Sequence, residues 1–165
     1  MDLRSVQRPL KEKYRSEPGS SRITLRARGS QTDAPISCSV DIGRAVYEAQ
    51  AHGGVGGPGT AACSGDLLLG ALAACAQVTC QMVAEAMGIE TERIEVEVAF
   101  DLDLAGTLGV SREVPVGFER IRTRFDVVAP AATEEQLEDL RKKTERYCVV
   151  FQTLIRPPEL ETEWT

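Results

Sequence analysis

The chain is poor in the groups that most often announce a function. It has one histidine, His52, one tryptophan, Trp164, and only 5% aromatic residues. A single imidazole and no CxxC pair leave a zinc site without ligands at the usual spacing. No basic cluster stands apart from acids and the net charge is −6, which argues against a nucleic-acid partner. The opening MDLRSVQRPLKEKYRSEPGSS has no apolar segment of the kind a secretory signal needs, so a cytoplasmic chain is expected. The longest apolar run, Leu67 to Ala76, stops at Gln77, short of the ~20 residues that cross a bilayer, so no membrane partner is expected. A GK[ST] phosphate loop is missing. Gly54, Gly56 and Gly59 match GxGxxG in form, but Pro58 interrupts them and no βαβ unit follows.

What is present is a chain of 165 residues, 42% hydrophobic, enough for one domain with a core. It is organised around Ser64 to Gly88, SGDLLLGALAACAQVTCQMVAEAMG, which reads as one long helix, apolar on nearly every side. Ser64 is the candidate N-cap, Asp66 places negative charge in the first turn, and Gly88 is the candidate stop. A helix hydrophobic all round is expected to be buried.

Residues 1–20 read as a polar arm, and 21–165 as a single domain. Ile23–Arg28 and Ile36–Asp41 alternate apolar and polar, which predicts an N-terminal hairpin across Gly29–Pro35. Cys38 then falls on one face with Ile36 and Val40, as a small core residue. The stretch from Gly43 to Gln50 is open to a third strand. Arg93–Leu104 alternates cleanly, with Ile94, Val96, Val98, Phe100, Leu102 and Leu104 on one face, and predicts a long half-buried strand. Phe118–Val128 predicts its antiparallel neighbour, with Arg120, Arg122 and Arg124 facing the acids of the first. Thr133-Glu134-Glu135-Gln136 reads as a capping box opening a helix that runs past Cys148 to Pro157, continuous or broken near that cysteine. Strands, long helix, two long strands, helix is an α+β order.

The five cysteines are Cys38, Cys63, Cys75, Cys80 and Cys148, an odd number. Cys75 and Cys148 lie on apolar helical faces, 73 positions apart, and from the residues alone each is either inert or reactive. A thiol with pKa ~8.5 is about 3% ionised at pH 7, and apolar surroundings lower that fraction. A reactive Cys75 therefore needs a cation from elsewhere, since its own helix offers none. Cys80 lies about 140° round the helix from Cys75, badly placed for a disulfide. Cys63 precedes the helix and is a weaker alternative partner. His52 reads as a solvated loop residue.

GDLLLGALAACAQVTCQMVAEAMGI resembles the central-helix motif of the osmotically inducible protein C and organic hydroperoxide resistance (OsmC/Ohr) family, and ERYCVVFQTL resembles its second-cysteine segment. The resemblance implies an OsmC-like α+β fold, with antiparallel sheets around two long helices in an intertwined homodimer. It implies a thiol peroxidase acting on organic hydroperoxides, with no cofactor and no metal. Cys75 matches the peroxidatic position and Cys148 the resolving one, with an external dithiol as reductant. The family's activating arginine comes from an N-terminal strand or the loop after it, where Arg28 is the candidate and Arg26 the second. Many relatives carry proline directly after the second cysteine, where this chain has Val149. The hydroperoxide-resistance branch pairs its arginine with a glutamate near the helix start, where this chain has Asp66. These departures mark a divergent branch, and leave as the alternative a non-catalytic dimeric stress-response or ligand-binding module on the same fold.

Overall fold

The computed structural model describes residues 3–31, 37–43 and 45–165. They form two compact units, Met1–Leu69 with Ala99–Ile121, and Gly70–Val98 with Arg122–Thr165.

In the first unit, the leading residues form helix α1, Leu3–Ser16, with Pro9 inside it. Apolar residues at positions 3, 6, 10 and 14 have helical spacing, a signal the polar composition masked. A three-stranded antiparallel sheet follows in the order β1 (Arg28–Gln31), β2 (Ser37–Asp41), β3 (Val46–Gln50). The expected third strand is therefore present, but the first strand lies further along than its alternation predicts. Arg28 pairs with Asp41, and the chain then turns from Ile42 to Ala45 into β3. Among the described residues the β1–β2 ladder ends at the Arg28–Asp41 pair, and Ile23 and Leu25 stand exposed at 78% and 86%. Alternation creates the capacity for a strand, but the ladder needs a neighbour. Ile36 and the rest of 32–36 lie outside the described residues, and Cys38 is half-buried in β2 opposite Ala49.

Strand β4 spans Arg93–Asp101 and β5 spans Arg120–Val128. Bonds from the Glu92 N–H to the Val128 carbonyl and from the Glu119 N–H to the Asp101 carbonyl fix them as antiparallel. The predicted alternation of Ile94 and Val96 against Glu95 and Glu97 holds. Leu102 and Leu104 do not extend β4. Asp103 accepts from the Ala105 N–H at 2.8 Å and caps a short helix α3, Leu104–Thr107, so local capping outcompetes the strand pattern. One cross-strand ion pair joins Arg93 to Asp126 at 2.8 Å, while Arg93 also meets Glu95 at 2.7 Å on its own strand. Both pairs are solvent-exposed and contribute little.

Helix α2 spans Ser64–Met87, as the sequence predicts. Its cap is Cys63 rather than Ser64: the Cys63 carbonyl accepts from the Leu67 N–H, and the Asp66 carboxylate accepts from the Cys63 N–H at 2.9 Å. That bond holds the Asp66 carboxyl below the ordinary aspartate value. At the other end Gly88 sits at φ 71°, with the Ile89 N–H bonded to the Ala84 carbonyl and the Gly88 N–H to that of Glu85, a Schellman stop. Gly88→Ala should lower stability by about 1–2 kcal/mol through the left-handed backbone penalty. The check is a fall in the urea midpoint at unchanged slope.

In the second unit, helices α4 (Glu134–Tyr147) and α5 (Val149–Ile155) complete the fold. The capping box is present: the Thr133 hydroxyl accepts from the Gln136 N–H and the Gln136 side chain accepts from the Thr133 N–H. One face of α2 (Cys80, Val83 and Ala84) packs with Ile89, Ile94, Ala129 and Leu140 to make the core. The expectation that α2 is buried all round is not met. Only Leu72, Ala76, Cys80, Val83 and Ala84 are buried, and Ala71, Ala74, Val78 and Met82 form an exposed stripe at helical spacing. Elements of a single chain cover only one side of it. By length and composition alone α2 is long and apolar enough to cross a membrane, although at the sequence level its longest apolar run is too short.

Candidate functional site

The second unit brings Cys75 and Cys148 together. Cys75 lies at the middle of α2 and is half-buried; Cys148 is 1% exposed. Between α4 and α5 the chain breaks at Cys148, which takes an extended conformation at φ −70° and ψ 107°. This one residue ends α4, its N–H donating to the Thr144 carbonyl, and begins α5, its carbonyl accepting from the Gln152 N–H. The break needs no proline, because Val149 occupies the first position of the new helix and continues it. The consequence is chemical: α5 opens with N–H groups that have no partner within the helix.

Those amides are spent on sulfur. The Val149 and Val150 N–H groups donate to Cys75 Sγ, and those of Val150 and Phe151 donate to Cys148 Sγ. Thr79, one turn along α2 from Cys75, and the Cys148 thiol also donate to Cys75 Sγ. Burial pushes the Cys75 thiol up, but the combined donors outweigh it and hold its pKa below the ordinary thiol value. Burial pushes Cys148 up as well, and there the bond to Cys75 and its charge reinforce the rise against the Phe151 amide. The opposite shifts make Cys75 the sulfur that ionises first and Cys148 the one that holds its hydrogen longer. The more acidic of the two thiols thus lies against the less acidic one.

Nothing in the side-chain pattern of the sequence marks these amides as donors to Cys75. Arg28 is an exposed residue of β1 in the first unit, and among the described residues no guanidinium is a source of the Cys75 shift. Hydrogen bonds to a thiolate at a helix start supply what charge would otherwise supply. The signal was available in part: a capped helix ending at a residue that must itself start the next one leaves donors free at Cys148.

Cys80 is a core residue. It is 2% exposed, burial raises its pKa, and the buried Thr144 hydroxyl, which no nitrogen or oxygen satisfies, faces it. Asp66 serves the helix start, as its position in the first turn suggests.

A pair of thiols joined across a helix break on an α+β scaffold defines a class of dithiol protein, and the comparisons say which. Residues 57–163 match the family described as OsmC-like protein, and the chain belongs to that family. Its fold is that of an OsmC-like protein from Mycoplasma pneumoniae, with a TM-score of 0.68 at 14% identity over 82% of this chain and 89% of that one. An organic hydroperoxide resistance protein from Legionella pneumophila aligns with a TM-score of 0.60 at 19% identity, covering 83% and 92% of the two chains. The organic hydroperoxide resistance protein OhrB of Bacillus subtilis aligns at 0.51 and 18% identity, covering 82% and 92%. At these identities the likeness establishes the fold. No curated protein matches the chain.

Proposed function

We propose that the protein is a thiol peroxidase that reduces organic hydroperoxides, with Cys75 as nucleophile and Cys148 as resolving thiol. The observation that carries this reading is the hydrogen-bonded pair of free thiols, Cys75 and Cys148, with the Cys75 pKa held down by the α5 amides. The Cys75 thiolate attacks the distal peroxide oxygen: an S–O bond forms, the O–O bond breaks, and the leaving alkoxide takes a proton and departs as an alcohol. Cys75 is then a sulfenic acid. Cys148 attacks that sulfur, water leaves and a disulfide forms, which an external dithiol reduces by exchange. Cys75 is oxidised and the peroxide reduced, so no further cofactor enters the balance. Arg28, exposed on the edge strand β1, is the candidate for the activating arginine, with Arg26 second. The setting assigned is cytoplasmic, where a dithiol reductant is at hand.

The working form in this reading is a homodimer. The stripe of Ala71, Ala74, Val78 and Met82 combines small residues, which permit close helix approach, with apolar ones that gain from cover. Sedimentation velocity should give a dimer for the wild type and monomer for Val78→Asp; a monomeric wild type would count against the assembly. For the chemistry, stopped-flow mixing of the reduced protein with cumene hydroperoxide should consume one peroxide per chain and yield a Cys75–Cys148 disulfide. A reduced wild type that leaves the peroxide untouched ends the proposal.

A further inference from the structure

The first unit holds a cavity of ≈ 830 Å³ that neither Cys75 nor Cys148 lines. Its volume falls in the range of small-molecule sites, about 300–1,000 Å³. The wall is apolar: Leu68, Phe100, Leu102, Leu104, Val116 and Phe118 line it, with the rings of Phe100 and Phe118 in contact at 4.3 Å. His52 and Cys63 also line it.

Those groups are arranged. The Asp66 carboxylate accepts from both the backbone N–H and the thiol of Cys63, and the His52 ring lies near that carboxylate. His52 Nδ1 accepts from the Gly54 N–H at 3.0 Å, so the neutral ring carries its proton on Nε2, as a donor. Gln50, also in the wall, is committed elsewhere, its amide oxygen taking the Thr60 and Ala61 amides and the Thr60 hydroxyl. Gly65 stands between thiol and aromatic wall. A Cβ there would lie 3.4 Å from both Cys63 Sγ and the Phe118 ring, so its bare backbone keeps the sulfur open to the apolar space.

We propose that this cavity is a second ligand site, for neutral chain-like α,β-unsaturated aldehydes, which Cys63 captures by conjugate addition. An apolar wall takes the alkyl chain, and the Asp66 charge beside Cys63 disfavours a carboxylate head. A thiol is a soft nucleophile suited to a conjugated carbon. In the step, the Cys63 S–H proton passes to the Asp66 carboxylate as sulfur bonds to the β-carbon. The C=C π pair shifts toward the carbonyl oxygen, which the His52 Nε2–H receives, and the proton then returns to the α-carbon. One S–C and one C–H bond replace S–H and the π bond. Nothing is oxidised or reduced, and no co-reactant is needed. The proposal stands apart from peroxide reduction and uses neither of its thiols.

The test is peptide-level mass spectrometry of the reduced full chain after short exposure to trans-2-octenal or to acrolein. Cys38, half-buried on β2 and not part of the cavity wall, is the internal reference. The ratio of Cys63 to Cys38 adducts should be at least tenfold higher with octenal than with acrolein, because only the longer chain uses the apolar wall. Excess octanal should lower Cys63 labelling by octenal, and octanoate should not. Gly65→Val, which places a branched side chain between sulfur and wall, should bring the octenal ratio down to the acrolein level. Equal ratios for the two aldehydes in the wild type overturn the proposal, and so does competition by octanoate as strong as by octanal.

Discussion

Cys75→Ser should abolish consumption of cumene hydroperoxide, while Cys148→Ser should keep the first turnover and lose the rest. The asymmetry follows from the opposite pKa shifts of the two thiols. In the proposed mechanism Cys75 is the attacking sulfur because α5 amides, Thr79 and Cys148 lower its pKa, and only a thiolate attacks the peroxide oxygen. A serine hydroxyl in the same place is not ionised by such hydrogen bonds at neutral pH, so no oxygen transfer occurs. Cys148, with its pKa raised, is the thiol proposed to meet the sulfenic acid. Without Cys148 that acid persists and is trapped by dimedone at one equivalent per chain. Repeated turnover by Cys148→Ser with no dimedone adduct would show that another thiol resolves the intermediate, and would remove Cys148 from the mechanism.

Val150→Pro should raise the apparent pKa of Cys75 by about one pH unit or more. The Val150 amide is the largest of the groups lowering it, and proline carries no N–H. A hydrogen bond to a charged group is worth about 1.5–3 kcal/mol, and about 1.4 kcal/mol corresponds to one unit. Position 150 lies in the first turn of α5, where proline is tolerated, so the helix itself should survive. Iodoacetamide alkylation of Cys75 against pH reads the shift directly. The wild-type midpoint should lie below the free thiol value of ~8.5 and the variant's above the wild type's. The sign also sets a stability effect. Because the folded pKa is depressed, the stabilisation from Cys75 is fully present above the unfolded value and is lost as pH falls through the folded one. A variant with an unchanged alkylation midpoint would refute the role given to the α5 amides.

The sequence carried the helices further than the strands. Helix α2 was legible from its composition and from Gly88, and α4 from the Thr133–Gln136 box, because capping and periodicity are local properties of the chain. Strand β1 was misplaced because a ladder depends on where its partner turns, and Ile42–Ala45 turns β2 away before Ile23–Ala27 can pair. The end of β4 was missed because Asp103 caps a helix where the alternation continued. At the site, the pairing of Cys75 with Cys148 came from resemblance and not from spacing. The amides that lower the Cys75 pKa were not legible at all, because every residue but proline has one and no side-chain pattern reveals them.

By itself, then, the amino-acid order determined an α+β chain, a capped apolar helix bearing Cys75, and a second helical cysteine after two amphipathic strands. Such features rest on interactions within a few residues of one another. Only the tertiary structure decided that the helix breaks at Cys148, that the freed amides meet both sulfurs, and that α2 keeps an uncovered apolar stripe. Those outcomes depend on which surfaces distant segments present to each other, and that is settled by packing across the fold.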